Sequence, residues 1–336
     1  MSRAALVLVA CVVPVVGACR GEPEAPAVTA RGEAPVVTAS VAVAPSVPAS
    51  PSVPPAPGAA RPPPDAEQHL AATIAPRSTL EAAVVEAAGP EVGPALSQVV
   101  HRALVWWMTP RTDLRPGDRV EAVYRLPPGQ EPEVLAVWVR AQKLGRERRA
   151  ARLRLPGAKY PKWVQPTADG GAEELELRLV DTPIAEYEQI TSLIHDGRRH
   201  KGVDFKVDVG APIVSPWAGE VVRRNWNFRG NGNSVEIVYP SKGISGYFLH
   251  LERLDPAMKV GAHVRAGQVI GTSGNTGRST APHLHYQLVR GKDRVVDPFD
   301  VHGHTRTTLD AAAAAQLTAE LTRLSALRPP SGGRDG

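Results

Sequence analysis

Two similar stretches of sequence, GAPI at 210–213 leading to AGEV at 218–221, and GAHV at 261–264 leading to AGQV at 266–269, form a weak internal repeat. The sequence around them is rich in glycine and valine and reads as short strands. Glycines at these places turn hairpins, and two similar β units in succession indicate a duplicated domain. We therefore predict that residues 184–303 form an all-β domain with a duplicated hybrid, sandwich-like fold.

The sequence before this domain mixes helix and strand patterns. Ser78-Thr79-Leu80-Glu81 fits a capping box at the start of an apolar helical run, and a second helix is predicted from Val92 to Trp107. Short apolar runs separated by turn residues indicate four strands, at 119–126, 134–144, 150–155 and 174–180. Residues 67–183 are therefore predicted to be a small α+β domain without a catalytic cluster of its own.

The last part of the chain, residues 304–336, is predicted to be one helix and a tail. Alanine and leucine dominate residues 308–327. Helical spacing places four leucines on one stripe, namely Leu317, Leu321, Leu324 and Leu327. We expect this stripe to dock on a neighbouring surface or on a partner.

The first 18 residues read as the signal peptide of a lipoprotein. An apolar run at 4–16 follows Arg3 and is too short to span a bilayer. Val16-Gly17-Ala18-Cys19 resembles the lipobox of bacterial lipoproteins, which implies cleavage before Cys19 and a lipid anchor on its thiol. Arg20, by resemblance to the sorting rule of enteric bacteria, implies a periplasm-facing lipoprotein of the outer membrane. An ordinary cleaved signal peptide is the alternative.

Residues 19–66 are dominated by proline, alanine and valine and carry almost no aromatic side chains. Such a composition buries too little apolar surface to offset the entropy lost on folding. We predict a disordered tether that lets the anchored domains search the cell-wall layer.

Charge and cysteine content exclude two classes of protein. The net charge is +5, but the basic residues are scattered, without the aromatic-interleaved basic block that nucleic-acid readers show. We expect no nucleic-acid partner. The only two cysteines are Cys11 and Cys19, so the mature chain keeps one thiol and cannot form an internal disulfide.

Five residues between positions 200 and 285 carry the predicted chemistry. His200 and Asp204 are four residues apart and would share one face of an extended strand, as would the two histidines of His283-Leu284-His285. His250 ends the apolar stretch between these two pairs. Two imidazoles and one carboxylate would bind zinc and leave one coordination position open, as catalytic zinc requires. The two remaining histidines could act on protons and on a developing oxyanion.

His200-x-x-x-Asp204, Tyr-Phe-Leu-His-Leu around His250, and Ser-Gly-Asn-Thr-Gly followed by His283-Leu284-His285 together resemble the lysostaphin and LytM-type zinc peptidases. The resemblance implies that His200, Asp204 and His285 bind one zinc ion and that His250 and His283 are the catalytic pair. It also implies hydrolysis of peptide cross-links in peptidoglycan, with stem peptides as substrate. By similarity to relatives, residues 67–183 lie over the groove and restrain activity; an activator protein is left open.

Two other functions fit parts of the sequence. Ala257-Met258-Lys259-Val260 resembles the modified-lysine segment of biotinyl and lipoyl carriers, but it adjoins the glycine-valine hairpin instead of preceding it by about twenty residues. A catalytically silent lipoprotein that binds the wall and regulates other hydrolases is the second alternative. None of the five residues is lost, which favours an enzyme. The segment from Ser192 to His200 is short for the family, so the sequence leaves the scissile bond open.

Overall fold

The structure, a computed structural model, describes Pro63 and residues 65–194 and 200–329. The signal peptide, Cys19 and nearly all of the predicted tether lie outside the described residues. No helix in the described part of the chain is both long and apolar enough to cross a membrane.

The first domain is built on a six-stranded antiparallel sheet whose strands follow one another in chain order. Its strands are β1 (Gln68–Thr73), β2 (Arg119–Arg125), β3 (Glu133–Arg140), β4 (Arg148–Leu153), β5 (Lys162–Pro166) and β6 (Ala172–Glu174). The connections contain α1 (Leu80–Ala88), α2 (Gly93–Leu104), α3 (Pro110–Asp113) and a 3-10 turn at Gln142–Leu144. Helices α1 and α2 pack on one face of this sheet and form a core with it.

The start of α1 follows from the sequence. The Thr79 hydroxyl accepts a hydrogen bond from the backbone N–H of Ala82 at 3.1 Å, as a helix N-cap does. Leu80 and Val84 then lie on the buried side of the helix, one turn apart. The helix therefore begins within the predicted segment, but its N-cap is Thr79 and not Ser78, so the capping box with Glu81 is not formed.

The chain after the second domain returns to the first one. Strand β18 (His304–Thr305) pairs with β7 (Arg178–Leu179), and the N–H of Leu309 donates to the Ala172 carbonyl at 2.9 Å. Helix α6 (Ala311–Ser325) then covers the other face of the six-stranded sheet, where Leu317, Leu321 and Leu324 are buried, whereas Leu327 is exposed. The docking surface of the predicted leucine stripe is thus the first domain itself.

The second domain is a ten-stranded antiparallel arrangement in which the main path runs β14-β11-β12-β13-β16-β9-β8. Its strands are β8 (Gln189–Ser192), β9 (Val203–Lys206), β10 (Pro212–Val214), β11 (Gly219–Arg224), β12 (Asn233–Tyr239), β13 (Ile244–Leu254), β14 (His263–Val264), β15 (Val269–Ser273), β16 (His283–Arg290) and β17 (Arg294–Val296). Two short helices, α4 (Phe228–Asn231) and α5 (Pro298–His302), complete it.

One face of this sheet carries the core, and the other face carries the polar site. Phe205, Phe248 and Tyr286 stand at neighbouring positions of β9, β13 and β16 and are buried. Because side chains alternate along a strand, their neighbours Asp204 and His285 point to the opposite face. The predicted fold class is confirmed: an all-β domain preceded by a small α+β domain.

Several local expectations differ from the structure. The sequence indicated no strand at β1 or β5, although both complete the first sheet. His200 was expected on the same strand as Asp204, but β9 begins only at Val203, so that prediction was wrong. A strand places two side chains on one face only within its own length, whereas His200 reaches the site from the preceding loop.

The two domains meet through packing and ion pairs. The Trp106 ring lies 6.0 Å from that of Phe299 in an edge-to-face contact. The Lys206 ammonium group lies between the carboxylates of Glu131 and Glu188. The first domain therefore contacts β9, the strand that bears Asp204.

Candidate metal centre

Three of the five predicted residues bring one donor atom each to a single point. Nε2 of His200 lies 3.1 Å from Oδ1 of Asp204 and 3.1 Å from Nδ1 of His285. Nδ1 of His285 lies 2.8 Å from the same Asp204 oxygen. Among the described residues these three form the group of histidine, cysteine and acidic side chains that could hold a metal ion.

Strand pairing accounts for two of these donors. Strands β9 and β16 are antiparallel neighbours, and their register sets Asp204 directly opposite His285. Side chains of directly opposed residues on one face lie within about 5.5 Å of each other at Cβ. The contact between Asp204 and His285 is therefore set by the pairing of β9 with β16.

His200, the third donor, is oriented by Ser192. The sequence analysis used Ser192 only to mark the start of a short segment. The Ser192 hydroxyl oxygen lies 2.7 Å from Nδ1 of His200, and the Leu193 carbonyl lies 3.4 Å from it. These contacts at Nδ1 orient the ring so that Nε2 faces Asp204 and His285. Hydrogen bonds of this kind fix the tautomer of metal-binding histidines.

Gly202, between His200 and Asp204, makes room for the ring of His285. A Cβ atom on Gly202 would stand 2.5 Å from the Tyr286 carbonyl oxygen and 2.9 Å from Cε1 and Nε2 of His285. The Tyr286 carbonyl and the His285 ring both belong to strand β16, so they could make space for a side chain at position 202 only if that strand shifted. The glycine in the sequence His-Lys-Gly-Val-Asp therefore permits the close approach of β9 and β16.

Asp204 is ionised in this setting. Burial by itself would raise the pKa of Asp204, but hydrogen bonds with His200 and His285 outweigh it and hold that pKa far below its usual value. The site thus offers one negative charge and two imidazole nitrogens. This donor set fits a divalent cation such as zinc, whose bonds to histidine and carboxylate are about 2.0 to 2.2 Å long.

His250 reaches the site through an irregular strand. The register of β12 with β13 passes from Val235 opposite Phe248 to Asn233 opposite Leu251, so one extra residue is accommodated near His250. His250 itself has φ of 62°, in the left-handed region that non-glycine residues seldom adopt. Such strain and such bulges re-aim side chains at functional sites.

The ring of His250 is fixed by main-chain contacts. Its Nδ1 donates to the Thr276 carbonyl at 2.9 Å, which leaves Nε2 as the acceptor. Burial lowers the pKa of His250 to about 4, although the hydrogen bond to Thr276 raises it, and the nearby histidines lower it further. His250 is therefore neutral near pH 7 in the metal-free site.

His283 stands beside His250 and is held in the same manner. Its Nδ1 donates to the Ala281 carbonyl at 2.8 Å, and the Ser279 hydroxyl lies 3.1 Å from the same nitrogen. Its Nε2 lies 3.9 Å from Oδ1 of Asp204, and its ring centre lies 4.8 Å from that of His250. All five predicted residues therefore converge, with three donors together and two imidazoles beside them.

The site opens into a cleft that both domains line. The cavity has a volume of about 890 Å³, with Asp204 and His283 on one wall and helices α1 and α2 on the other. Arg102 and Glu131 of the first domain form an ion pair at 2.9 Å and also line this cavity. Residues of the first domain thus face the same space as the candidate metal centre.

Residues 198–298 match the family model described as Peptidase family M23. The matched segment contains all five converging residues. This segment is similar to the lysostaphin and LytM-type peptidases.

Individual relatives resemble limited parts of the chain. Lysostaphin of Staphylococcus simulans is 40% identical over 92 residues, which are 27% of this chain and 18% of lysostaphin. The peptidoglycan DD-endopeptidase ShyA of Vibrio cholerae is 33% identical over 199 residues, which cover 54% of this chain and 42% of ShyA. The structure of Helicobacter pylori Csd3 is 20% identical with a TM-score of 0.35, covering 77% of this chain and 67% of Csd3. The chain spans less than half the length of lysostaphin and of ShyA.

Proposed function

We propose that this protein is a zinc-dependent endopeptidase that hydrolyses peptide cross-links of peptidoglycan. The observation that supports it best is the convergence of His200, Asp204 and His285, with donor atoms 2.8 to 3.1 Å apart, beside two imidazoles in an open cleft. The names of the relatives point to the same substrate, since ShyA and ShyC are described as peptidoglycan DD-endopeptidases.

His200, Asp204 and His285 would hold one zinc ion. Bound there, zinc supplies a Lewis acid for the scissile carbonyl and lowers the pKa of a water molecule from about 15.7 towards about 7. His250 and His283 have their Nδ1 hydrogens committed to backbone carbonyls, so each offers Nε2 for proton transfer. A neutral imidazole accepts a proton and an imidazolium donates to an oxyanion. The two histidines share these roles in our proposal.

We expect Ser192→Ala to weaken zinc binding by about 10- to 100-fold, because its hydroxyl orients His200 and outer contacts of metal ligands typically contribute that much. Titration against a chelator of known affinity measures the loss. Ser192→Thr keeps a hydroxyl and should retain most of the affinity. An alanine variant that binds zinc as tightly as the wild type would contradict the role of Ser192.

The proposed location is the cell envelope. The lipobox-like Val16–Cys19 supports a lipid anchor on Cys19, with the folded domains facing the periplasm, and Arg20 supports the outer membrane. In a Gram-negative wall the bond that we propose is the D-alanine to diaminopimelate cross-link, and a polyglycine bridge is the alternative. An activating partner protein is left open.

Digestion of purified sacculi tests the function. We expect the purified full chain, carrying about one zinc per molecule, to release cross-link cleavage products that mass spectrometry identifies by the newly exposed termini. A folded chain that holds zinc but releases no fragments from either type of wall would favour the silent regulatory lipoprotein. A chain that binds no zinc would contradict the proposal as a whole.

A further inference from the structure

The polar face of the second sheet extends beyond the candidate metal centre. Strand register sets Leu249 opposite His285 and Tyr247 opposite Gln287, two residues further along the same face. On the next strand Glu236 stands opposite Tyr247, and Arg223 of β11 stands opposite Glu236. A continuous row of side chains therefore leads from His285 across three further strands.

Three side chains at the far end of this row form what we call the aromatic shelf: Trp226, Tyr247 and Arg223. The Trp226 and Tyr247 rings lie 5.6 Å apart, edge to face. The Arg223 guanidinium lies 4.2 Å from the centre of the Trp226 ring and 5.7 Å from that of Tyr247. Glu236 fixes Arg223 through two hydrogen-bonded contacts at 2.8 Å. Glu236 therefore holds the Arg223 guanidinium against the two rings.

The shelf is accessible and basic. Trp226 and Tyr247 are partly exposed, and 44% of the Arg223 side chain is exposed. Arg229 in the same loop is exposed, and so is Arg278 in the neighbouring loop. Glu236, the carboxylate that faces Arg223, keeps only 12% of its side chain exposed, so solvent meets the two rings and the Arg223 guanidinium, with the exposed Asp293 near Tyr247.

The loop that bears Trp226 is joined to the catalytic pair. The N–H of Arg278 donates to the Gly230 carbonyl at 3.0 Å, and the N–H of Asn233 donates to the Thr276 hydroxyl at 2.9 Å. The Thr276 carbonyl is the group that orients His250. The shelf and the candidate active site therefore share one packed set of loops.

We propose that the aromatic shelf binds the sugar of the glycan strand to which the cleaved stem peptide is attached. This inference rests on the proposed function. Tyr247 is a diagonal neighbour of His285 at about 7 to 8 Å between Cα atoms. The shelf therefore begins at Tyr247, beside the strand position of His285, and the Trp226 ring centre lies 5.6 Å from that of Tyr247.

The shelf lies within the reach of one substrate that is bound at the metal donors. A stem peptide of about four residues in extended form spans about 13 to 14 Å between its sugar and the cross-link. A pyranose ring offers C–H groups that pack on an aromatic face, and Tyr and Trp combine a large apolar contact with a polar handle. Exposed guanidinium groups suit the carboxylates that stem peptides carry. One substrate can therefore occupy both places at once.

Paired substrates test the shelf. One is a cross-linked peptide dimer that keeps its sugars, and the other is the same dimer with the sugars removed. Binding of each to the full chain is measured by calorimetry with the His283→Ala variant as background, and kcat/KM is measured with the zinc-loaded chain. We expect Trp226→Ala to weaken binding and kcat/KM for the sugar-bearing dimer by roughly tenfold more than for the sugar-free dimer.

Two further variants complete the test. Trp226→Phe keeps an aromatic face and should recover most of the preference for sugars, whereas Val180→Ser changes an exposed apolar residue outside this face and should leave the preference unaltered. An equal loss on both substrates, or no loss, would overturn the proposal. If the wild type cleaves neither dimer, the proposed function fails, and the calorimetric comparison still decides whether the shelf binds sugar.

Discussion

His285→Ala is expected to lose bound zinc and peptidase activity together. His285 supplies one of the three donors. Its ring also contacts the Asp204 carboxylate and packs beside Gly202. Changing a residue that only hydrogen-bonds to a metal ligand typically lowers metal affinity by about 10- to 100-fold. Because His285→Ala removes a ligand and leaves two donors, we expect zinc affinity to fall by more than about 100-fold. Metal content after dialysis, measured beside the release of wall fragments, checks both losses in one preparation.

The loss must be separated from unfolding, because 91% of His285 is buried. His285→Gln keeps a side chain of similar length in the same space, and circular dichroism compares the folds. A His285 variant that keeps about one zinc per chain would show that another residue completes the site and that the ligand assignment is wrong.

His283→Ala is expected to lose activity while largely retaining zinc. Nε2 of His283 lies 3.9 Å from the Asp204 oxygen, further than the 2.8 to 3.1 Å that separate the three donors. Loss of a proton-transfer group typically costs about 10²- to 10⁴-fold in rate. Zinc content and kcat on a cross-linked peptide, measured on the same sample, give the two readouts.

His263→Ala is a suitable control for this variant. His263 is an exposed histidine of β14, and its loss should change neither zinc content nor rate. Equal loss of metal in His283→Ala and His285→Ala would mean that the division into ligands and catalytic pair is wrong. A His283→Ala variant with unaltered kcat would remove His283 from the mechanism.

The hypothesis that the first domain restrains activity stays a prediction. Arg102, Glu131 and Lys206 form a chain of ion pairs between the domains at the edge of the cleft. The first domain also has structural tasks, because α6 packs on its sheet and β18 pairs with β7. Deleting residues 67–183 would therefore expose the buried face of α6 as well as the cleft, and a changed rate would mix both effects.

Much of the candidate site could be predicted because its information is local. His283-Leu284-His285 lies on one strand, where alternation alone puts both imidazoles on the same face. The polar start of α1 and the leucine stripe of α6 are equally local patterns, although the cap itself falls on Thr79, one residue later than the capping box predicted. Strands β1 and β5 were missed because their sequences carry weak alternation, and pairing with neighbours distant in the chain stabilises them.

The sequence by itself predicted which residues converge, namely three candidate donors and two further histidines. Only the tertiary structure decided that β9 and β16 are neighbours in the register that joins Asp204 to His285, and that Ser192 orients His200. It also decided the bulge that turns His250 inwards and the row of side chains that leads to Trp226. The reason is that residue type and strand period are properties of short segments, whereas register, bulges and shared clefts depend on pairing between segments tens of residues apart.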